Sequence, residues 1–277
     1  MYKNFLIIAS KSDLAGVNIT TQISQFRKSP VLSTIGNKPN FDFYLIDKET
    51  VYTENLDLEK IKNYDFIIFA SKHASSSPEK HKTISIHAPG NFRKAEFGGE
   101  EAKVCKTSAL FQKQLFEKIK LNMDQFHLKG YDLTLECTHH GPLINKPCIF
   151  SEIGPTEKEW KDRKAGYILA KSLFEIIEEF KENPYNEIAI GIGGPHYCPS
   201  FNKIQLDSNV AISHIISQYN LPLTEEMVQE AIAGTEEDID FILLDWKGLG
   251  NAEQKQQALN VLDKFYIQKK KTSEISK

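Results

Sequence analysis

Residues 134–142, with the sequence TLECTHHGP, place two adjacent histidines where an apolar run meets a Gly-Pro pair. On an extended backbone, Glu136 and His140 share one side and His139 points to the other, although the Gly-Pro turn can rotate the last pair. Two imidazoles in this position can be metal ligands, an acid/base pair or structural residues. The choice depends on which other polar residues reach the same place.

Other polar residues follow most of the remaining apolar runs. The set that closes or follows such runs comprises His73, His87, Glu136, His139, His140, Glu152, His196 and Asp245. Ligands of open α/β sheets bind beyond the carboxyl ends of the strands, so we expect these side chains to converge in one cleft. Imidazoles and carboxylates bind zinc, accept protons near neutrality and orient one another, which predicts a hydrolytic site. No short zinc motif such as HExxH is present, so the prediction depends on the clustering.

The segment GIGGPHY, residues 191–197, contains three glycines after an apolar run. The amides of Gly193 and Gly194 could cradle a phosphate or a developing oxyanion, or the glycines could serve only a tight turn. The spacing matches neither GxGxxG nor a P-loop. Serines 71, 75, 76 and 77 lie in a loop without a GxSxG elbow, so we interpret them as loop residues.

Short apolar runs and helical patterns alternate along the chain. The runs NFLIIAS, FDFYLID, YDFIIFAS, TISIHA, YDLTLEC, PCIFSEI, EIAIGIGG and DFILLDW lack clean alternation, which predicts strands buried on both faces. Helices are predicted over residues 16–28, 107–130, 156–183, 224–233 and 252–265. This alternation predicts an α/β fold with a mostly parallel sheet and helices on both faces. We expect one large domain over residues 1–277, with a possible smaller C-terminal subdomain over about 205–277.

Two connections of about twelve residues, SKHASSSPEKHK and PGNFRKAEFGGE, are long for a compact domain, which indicates a binding role. The net charge is −3, from 34 basic and 37 acidic residues, so a polyanion would need a local basic patch. The lysine-rich end, residues 264–277, could supply one, but we interpret it as a solvated tail. The four cysteines form no CxxC pair and are predicted to be free and buried. No apolar run is long enough to cross a bilayer and no signal-peptide pattern opens the chain, so we expect a cytoplasmic protein.

The motifs ASKHASSS, HAPGNFRKAEFGG, ECTHHGP, SEIGPTEKEW, GIGGPHY and DWKG together resemble the archaeal and plant type of D-aminoacyl-tRNA deacylase, in order and spacing, from about residue 65 to 250. The resemblance implies a zinc-dependent hydrolase that cleaves the ester between a D-amino acid and the terminal ribose of tRNA. It also implies a three-layer α/β/α fold similar to the phosphorylase/hydrolase-like group, with extra α/β elaborations. The partner would be the tRNA acceptor end, and we expect a monomer that does not bind membranes.

The resemblance also implies roles for individual residues. The implied Zn²⁺ ligands come from the set His73, His87, His139, His140, His196 and Asp245. Catalytic roles are expected for Glu136, Glu152, His140, His196 and Lys247. Substrate binding is expected from Asn91, Phe92, Lys94, Gly193, Gly194 and Tyr197. Among these, Phe92 or Tyr197 could stack on the terminal adenine, and Lys94 or Lys247 could contact a phosphate or the oxyanion.

One residue departs from the family pattern. Pro195 stands where a third glycine is expected, and it removes a backbone N–H that could bind substrate. Two other functions stay open at this stage. One is a zinc amidase or peptidase, which would use the same histidines and carboxylates. The other is a non-catalytic tRNA-binding module, against which the acidic balance argues, because such a module needs a broad basic surface.

Overall fold

The structure is a computed structural model that describes residues 2–26, 41–54, 56, 58–75, 81–183 and 185–276. The strands are β1 (Phe5–Ser10), β2 (Phe41–Ile46), β3 (Phe66–Lys72), β4 (Lys82–His87), β5 (Gly90–Asn91), β6 (Lys103–Val104), β7 (Tyr131–Leu135), β8 (Cys148–Gly154), β9 (Glu187–Ile192), β10 (Val210–Ile216), β11 (Phe241–Leu244) and β12 (Gln268–Lys271). The α-helices are α1 (Leu14–Phe26), α2 (Leu58–Ile61), α3 (Ala109–Gln125), α4 (Glu157–Trp160), α5 (Arg163–Glu179), α6 (Pro199–Asp207), α7 (Glu225–Ala233) and α8 (Ala252–Leu262).

The larger sheet has six strands in the order β2-β1-β3-β8-β4-β7. β4 runs antiparallel to β8, with Thr83 opposite Gly154 and His87 opposite Phe150, and β7 runs parallel to β4. The other strand pairs are parallel. The prediction of an α/β fold with a mostly parallel mixed central sheet is therefore confirmed.

The larger sheet is buried on both faces, as its strand sequences predict. On one face, α1, α3 and α5 cover a cluster that includes Ile7, Ile68 and Phe111. On the other face, Ile61 of α2 and Ile144 of a connecting segment pack in a cluster of Leu6, Ile8, Phe69 and Phe150. All eight predicted strands are present. The expectation of burial on both faces is wrong for β2, an edge strand in which Asp42 and Leu45 are exposed.

The smaller sheet has four parallel strands in the order β10-β9-β11-β12. Helices α7 and α8 cover one face, around Ile190 and Val228, and α3 and α6 pack on the other. Helix α3 thus contacts both sheets. Beyond β7, the chain also joins the two sheets, because Cys137 N donates to His196 O at 2.9 Å and Thr138 N donates to Ile215 O at 3.0 Å.

Each predicted helical segment contains a helix, but the segment predicted over 107–130 ends early, because α3 stops at Gln125, and α6 was not predicted. The predicted helix over 156–183 is wrong as a single element, because it breaks into α4 and α5 where Asp162 caps the second helix by accepting from Lys164 N at 2.9 Å. The predicted end of the first helix at residues 27–28, and serines 76 and 77, lie outside the described residues. The interpretation of Ser71 as a loop residue is wrong, because it lies inside β3.

The interpretation of residues 264–277 as a solvated tail is wrong for most of that segment. Residues 268–271 form β12, which pairs in parallel with β11. Two of its lysines form ion pairs, Lys269 with Asp263 at 2.8 Å and Lys270 with Glu187 at 2.7 Å. All four cysteines are free and buried, as predicted. In the described part of the chain, no helix combines the length and apolarity needed to cross a bilayer.

Candidate active site

Seven of the predicted site residues converge in one cleft. His73 follows β3, His87 ends β4, and Glu152 lies inside β8. Glu136, His139 and His140 follow β7, and His196 follows β9. The group of residues His73, His87, Glu136, His139, His140, Glu152 and His196 is called the histidine–carboxylate cluster below.

The route by which these residues meet differs from the sequence-based expectation. We expected the carboxyl ends of parallel strands at one edge of a sheet. Because β4 and β7 run against β8, their carboxyl ends arrive from the opposite direction, and His87 lies beside Phe150 near the start of β8. Glu152 is opposite both Ser71 and Ser85 within the sheet. The cluster therefore lies over β8, between the two sheets.

Glu136 is the buried carboxylate at the centre of the cluster. Its Oε1 lies 3.1 Å from His73 Nδ1, and its Oε2 lies 3.2 Å from His196 Nε2 and 3.5 Å from His139 Nε2. Burial opposes ionisation of Glu136, but His73 and His196 outweigh it and hold the pKa well below its usual range. Glu136 is therefore a carboxylate that pairs with His73 and His196.

His73 and His196 are the histidines that Glu136 keeps protonated. Burial lowers the pKa of His73, but Glu136 and Glu152 overcome it and raise that pKa to about 12. Burial acts in the same way on His196, whose pKa is raised to about 11 by Cys137 and Glu136. His73 Nε2 donates to the Tyr197 hydroxyl at 2.9 Å, so the predicted substrate residue Tyr197 contacts the cluster.

The other three histidines donate their Nδ1 protons to backbone carbonyls. His87 binds Ala88 O at 3.2 Å, His139 binds Cys137 O at 2.7 Å and His140 binds Gly141 O at 2.7 Å. Burial lowers all three pKa values, to about 3 for His87, to about 4 for His140 and well below the usual range for His139. These imidazoles are therefore neutral, with the lone pair on Nε2.

The three neutral imidazoles fit a metal ion. Their ring centroids are 4.2 Å apart for His87 and His139, 4.3 Å for His139 and His140, and 4.8 Å for His87 and His140. One nitrogen from each lies within 4.8 Å of the others. His87 Nε2 is buried and has no hydrogen-bond partner among the described residues. Neutral imidazoles whose other nitrogen is held by a carbonyl are the usual form of zinc ligands.

Glu152 differs from Glu136 in its charge state. Its Oε2 lies 3.7 Å from His73 Nδ1 and 3.9 Å from His87 Nε2. Burial raises the pKa of Glu152 to about 7, while His73 acts in the opposite direction and Glu136 adds to the rise. A carboxyl group with this pKa can take up and release a proton near neutrality.

Several predicted site residues lie outside the cluster. Asp245 accepts from Gly248 N at 3.2 Å, and none of the possible metal-binding groups in the described ranges includes it. Asn91 donates to Gly98 O at 2.9 Å and thereby holds the loop rather than substrate. Lys94 and Lys247 are exposed at the surface. Phe92 is buried in the core of the smaller sheet, so the expectation that it stacks on adenine is wrong.

The glycines of GIGGPHY serve close packing. Gly193 N already donates to Ile216 O at 2.8 Å, so this amide is not available to an oxyanion. Both Gly193 and Gly194 have positive φ values, of 94° and 80°. A Cβ atom on Gly248 would overlap Gly194 N, because the two turns pack directly against each other. The tight-turn alternative therefore accounts for these glycines.

Two contacts of the cluster were missed by sequence reasoning. Cys137 Sγ lies 3.4 Å from His196 Nδ1, and Trp160 Nε1 donates to His73 O at 3.0 Å. Cys137 lies inside ECTHHGP, which was a signal that it could contact the site. Trp160 ends the motif SEIGPTEKEW, but its contact depends on the packing of α4 on β8, which is long-range in the sequence.

The fold and the site define a class of protein: an α/β enzyme whose buried histidines and carboxylates suit metal-assisted hydrolysis. Residues 60–269 match the family model of D-aminoacyl-tRNA deacylase. The chain belongs to this family, which confirms the resemblance of its motifs.

Similar proteins of two archaea carry the name of this family, and one solved structure has a similar fold. A D-aminoacyl-tRNA deacylase of Thermococcus onnurineus is 33% identical over 267 residues, covering 92% of this chain and 95% of the relative. One of Methanocaldococcus jannaschii is 32% identical over 260 residues, covering 91% and 93%. A crystal structure described as a conserved protein of unknown function has a TM-score of 0.85 and 29% identity, covering 98% of this chain and 96% of that one.

Proposed function

We propose that this enzyme hydrolyses the ester bond between a D-amino acid and tRNA, releasing both, with Zn²⁺ as its cofactor. Membership of the D-aminoacyl-tRNA deacylase family supports the substrate. The observation that supports a metal ion is the convergence of three neutral imidazoles, His87, His139 and His140. Nε2 of His87 is buried and has no hydrogen-bond partner among the described residues. The predicted ligands His73 and His196 are better suited to another role, because Glu136 keeps them protonated.

When bound, zinc would supply a water of pKa near 7 and polarise the ester carbonyl. His87, His139 and His140 would hold it, since their Nδ1 protons are already committed to carbonyl oxygens. The backbone carbonyls thus set the orientation of each ring before any ligand arrives. This supports a preformed site.

Glu152 is the best candidate for moving the proton. Hydrolysis requires that the attacking water lose a proton to a base and that the departing ribose oxygen gain one. Glu152 is buried within 3.9 Å of His87 Nε2, and its pKa of about 7 suits both steps. Its carboxylate would accept the proton from water, and its carboxyl group would return it to the ribose oxygen as the C–O bond breaks.

His196 is the best candidate for stabilising the charge on the ester oxygen. Its Nε2 meets Glu136 at 3.2 Å and its Nδ1 meets Cys137 Sγ at 3.4 Å, so it would act through its positive charge rather than by donating a hydrogen bond. Its side chain is 30% exposed, so substrate can reach it. His73 is also charged but is only 7% exposed and is committed to Tyr197 and Glu136. His73 would therefore position Tyr197 rather than contact the ester. Charge stabilisation of this type is often the largest contribution to acyl transfer.

The test is hydrolysis of D-tyrosyl-tRNA and L-tyrosyl-tRNA by the purified enzyme, with metal analysis and with chelator. We expect bound zinc, turnover of the D-form that chelator abolishes, and no comparable turnover of small peptides, which an amidase would cleave. His140→Ala should lose both activity and zinc. The control His127→Ala changes an exposed histidine outside the cluster and should keep both.

The proposal has three separate ways to fail. If His140→Ala turns over substrate as fast as the wild type, the assigned active site is wrong. Turnover without any metal would show that zinc is not the cofactor, but the proposed substrate would stand. Binding of tRNA without turnover would favour the non-catalytic module. Cytoplasmic location and the monomeric state stay predictions.

A further inference from the structure

The connection PGNFRKAEFGGE exposes an aromatic ring beside the cluster. All 17 phenylalanines lie in the described part of the chain, and Phe97 is the one whose side chain is mostly exposed, at 61%. Phe92, five residues earlier, is 3% exposed. A single exposed apolar ring is common on protein surfaces, so the case for Phe97 depends on where its backbone is held.

The backbone under Phe97 is tied to the turn that carries His140. Gly141 N donates to Phe97 O at 2.8 Å, and Gly141 directly follows His140. Asn91 donates to Gly98 O at 2.9 Å, which fixes the next peptide. The exposed ring is therefore one backbone hydrogen bond from a residue adjacent to a proposed zinc ligand.

Close packing makes this arrangement rigid. Gly98 and Gly99 have positive φ values of 70° and 79°, which glycine adopts without strain. A Cβ atom on Gly98 would overlap Val51 O, and one on Gly141 would overlap Gly99 N. A ring held by such a backbone loses little conformational entropy when a ligand covers it, which suits a binding residue.

We propose that Phe97 stacks on the terminal unpaired base of the tRNA acceptor end; this rests on the proposed function and assigns the base subsite of the same site. Unpaired bases of RNA are commonly recognised by stacking on aromatic side chains. Lys94, three residues earlier on the same loop, is exposed and supplies a positive charge that suits a phosphate of the same strand. The neighbouring Arg93 is already committed, because it donates to Asn220 O and Pro222 O.

Three substrates separate the base from the amino acid. D-tyrosyl-tRNA has the base and an aromatic side chain, D-alanyl-tRNA has the base alone, and D-tyrosine methyl ester has the aromatic side chain alone. Phe97→Ala should raise KM about 5- to 150-fold for both tRNA substrates, the range expected for one stacked base. It should leave KM for the methyl ester and kcat for all three unchanged, because stacking binds ground state and transition state alike. Phe97→Trp should restore KM.

The contradicting outcomes are distinct. A KM that rises for D-tyrosyl-tRNA and the methyl ester but not for D-alanyl-tRNA would mean that the ring contacts the amino acid. Unchanged KM for all three would mean that the ring contacts none of them. Either result overturns the proposal. Leu121→Ala is the matched control, since Leu121 is 58% exposed on α3 and outside the site, and it should change no KM.

A binding experiment keeps this test independent of turnover. The probe is an RNA minihelix with an unpaired ACCA end, compared with the same helix lacking that end, and affinity is measured by fluorescence anisotropy. The wild type should prefer the unpaired end, and Phe97→Ala should lose that preference. If the wild type prefers the unpaired end but hydrolyses no D-aminoacyl-tRNA, the proposed function fails and the base subsite survives. If Phe97→Ala keeps the full preference, the subsite fails whatever the activity.

Discussion

Acidification should weaken the fold through His214, a fully buried histidine of β10 that holds the active-site segment. Its Nδ1 accepts from the Thr138 hydroxyl at 3.0 Å, and its Nε2 donates to Cys105 O at 3.0 Å. Thr138 immediately precedes His139 and His140. Burial lowers the pKa of His214 to about 4, although hydrogen bonds to Gly234 and Cys105 oppose this.

The magnitude follows from the difference between folded and unfolded pKa values. His214 has a folded pKa of about 4 against an ordinary value of 6.5, so between these limits the unfolded chain binds more protons. Its contribution to stability is therefore complete above pH 6.5 and is lost as the pH falls towards 4. Each pKa unit corresponds to about 1.4 kcal/mol, so the loss approaches about 3 kcal/mol.

The assay is urea unfolding followed by circular dichroism at several pH values between about 7 and 4.5, for the wild type and His214→Gln. Glutamine does not titrate, so the variant should start less stable but lose less free energy of unfolding on acidification. The difference between the two slopes isolates His214 from the other titrating groups, which both proteins share. If the two free energies of unfolding run parallel over this pH range, the reasoning about His214 is refuted.

Three further outcomes are expected. The kcat should rise with pH as Glu152 loses its proton, and Glu152→Gln should lower kcat by about 100-fold or more at about pH 8, where the wild-type carboxylate is ionised; a wild-type kcat in this variant would assign the base elsewhere. Gly141→Ala should lower both kcat and Tm, because the added Cβ would overlap Gly99 N and displace His140; wild-type kcat would show that the turn tolerates it. Asp162→Ala should cost about 1 kcal/mol in urea unfolding by removing the cap of α5 and should leave kcat unchanged; altered kcat would link α5 to the site.

Short sequence patterns predicted an element correctly where the same residues form the local contacts that stabilise it. The start of α3 was predictable because Ser108 accepts from Phe111 N at 3.0 Å as an N-cap, and Thr224 caps α7 in the same way. Strand direction was not predictable, because a strand buried on both faces has the same sequence pattern whichever way it runs. The lysine-rich β12 was not predicted because its pairing with β11 and the ion pair of Lys270 with Glu187 involve residues far away in the sequence.

The sequence predicted most of the residues that form the site, but not the role of each one. Polar residues at the ends of apolar runs are costly to bury without a purpose, which is why most of them belong to the cluster. The choice between Phe92 and Phe97 could not be made from the sequence, because both are aromatic residues of one loop. Phe92 packs against the smaller sheet, whereas Phe97 is left outside by the glycines that bind the loop to Gly141. Asp245 follows its strand as the others do, but its side chain accepts from Gly248 N in the next turn, and it belongs to none of the possible metal-binding groups of the described ranges.

The histidines of the cluster differ in charge because their ring nitrogens have different neighbours. His139 and His196 both approach Glu136 Oε2, at 3.5 and 3.2 Å, yet their pKa values move in opposite directions. Burial lowers the pKa of His139, and charges on the adjacent rings of His87 and His140 would lower it further. Burial also acts against His196, but Cys137 and Glu136 outweigh it and raise the pKa. Adjacent imidazoles cannot all be charged, so the three that crowd together stay neutral and suit a metal. Zinc and an imidazolium can therefore act in one cleft because the fold separates the crowded rings from the carboxylate-held ones.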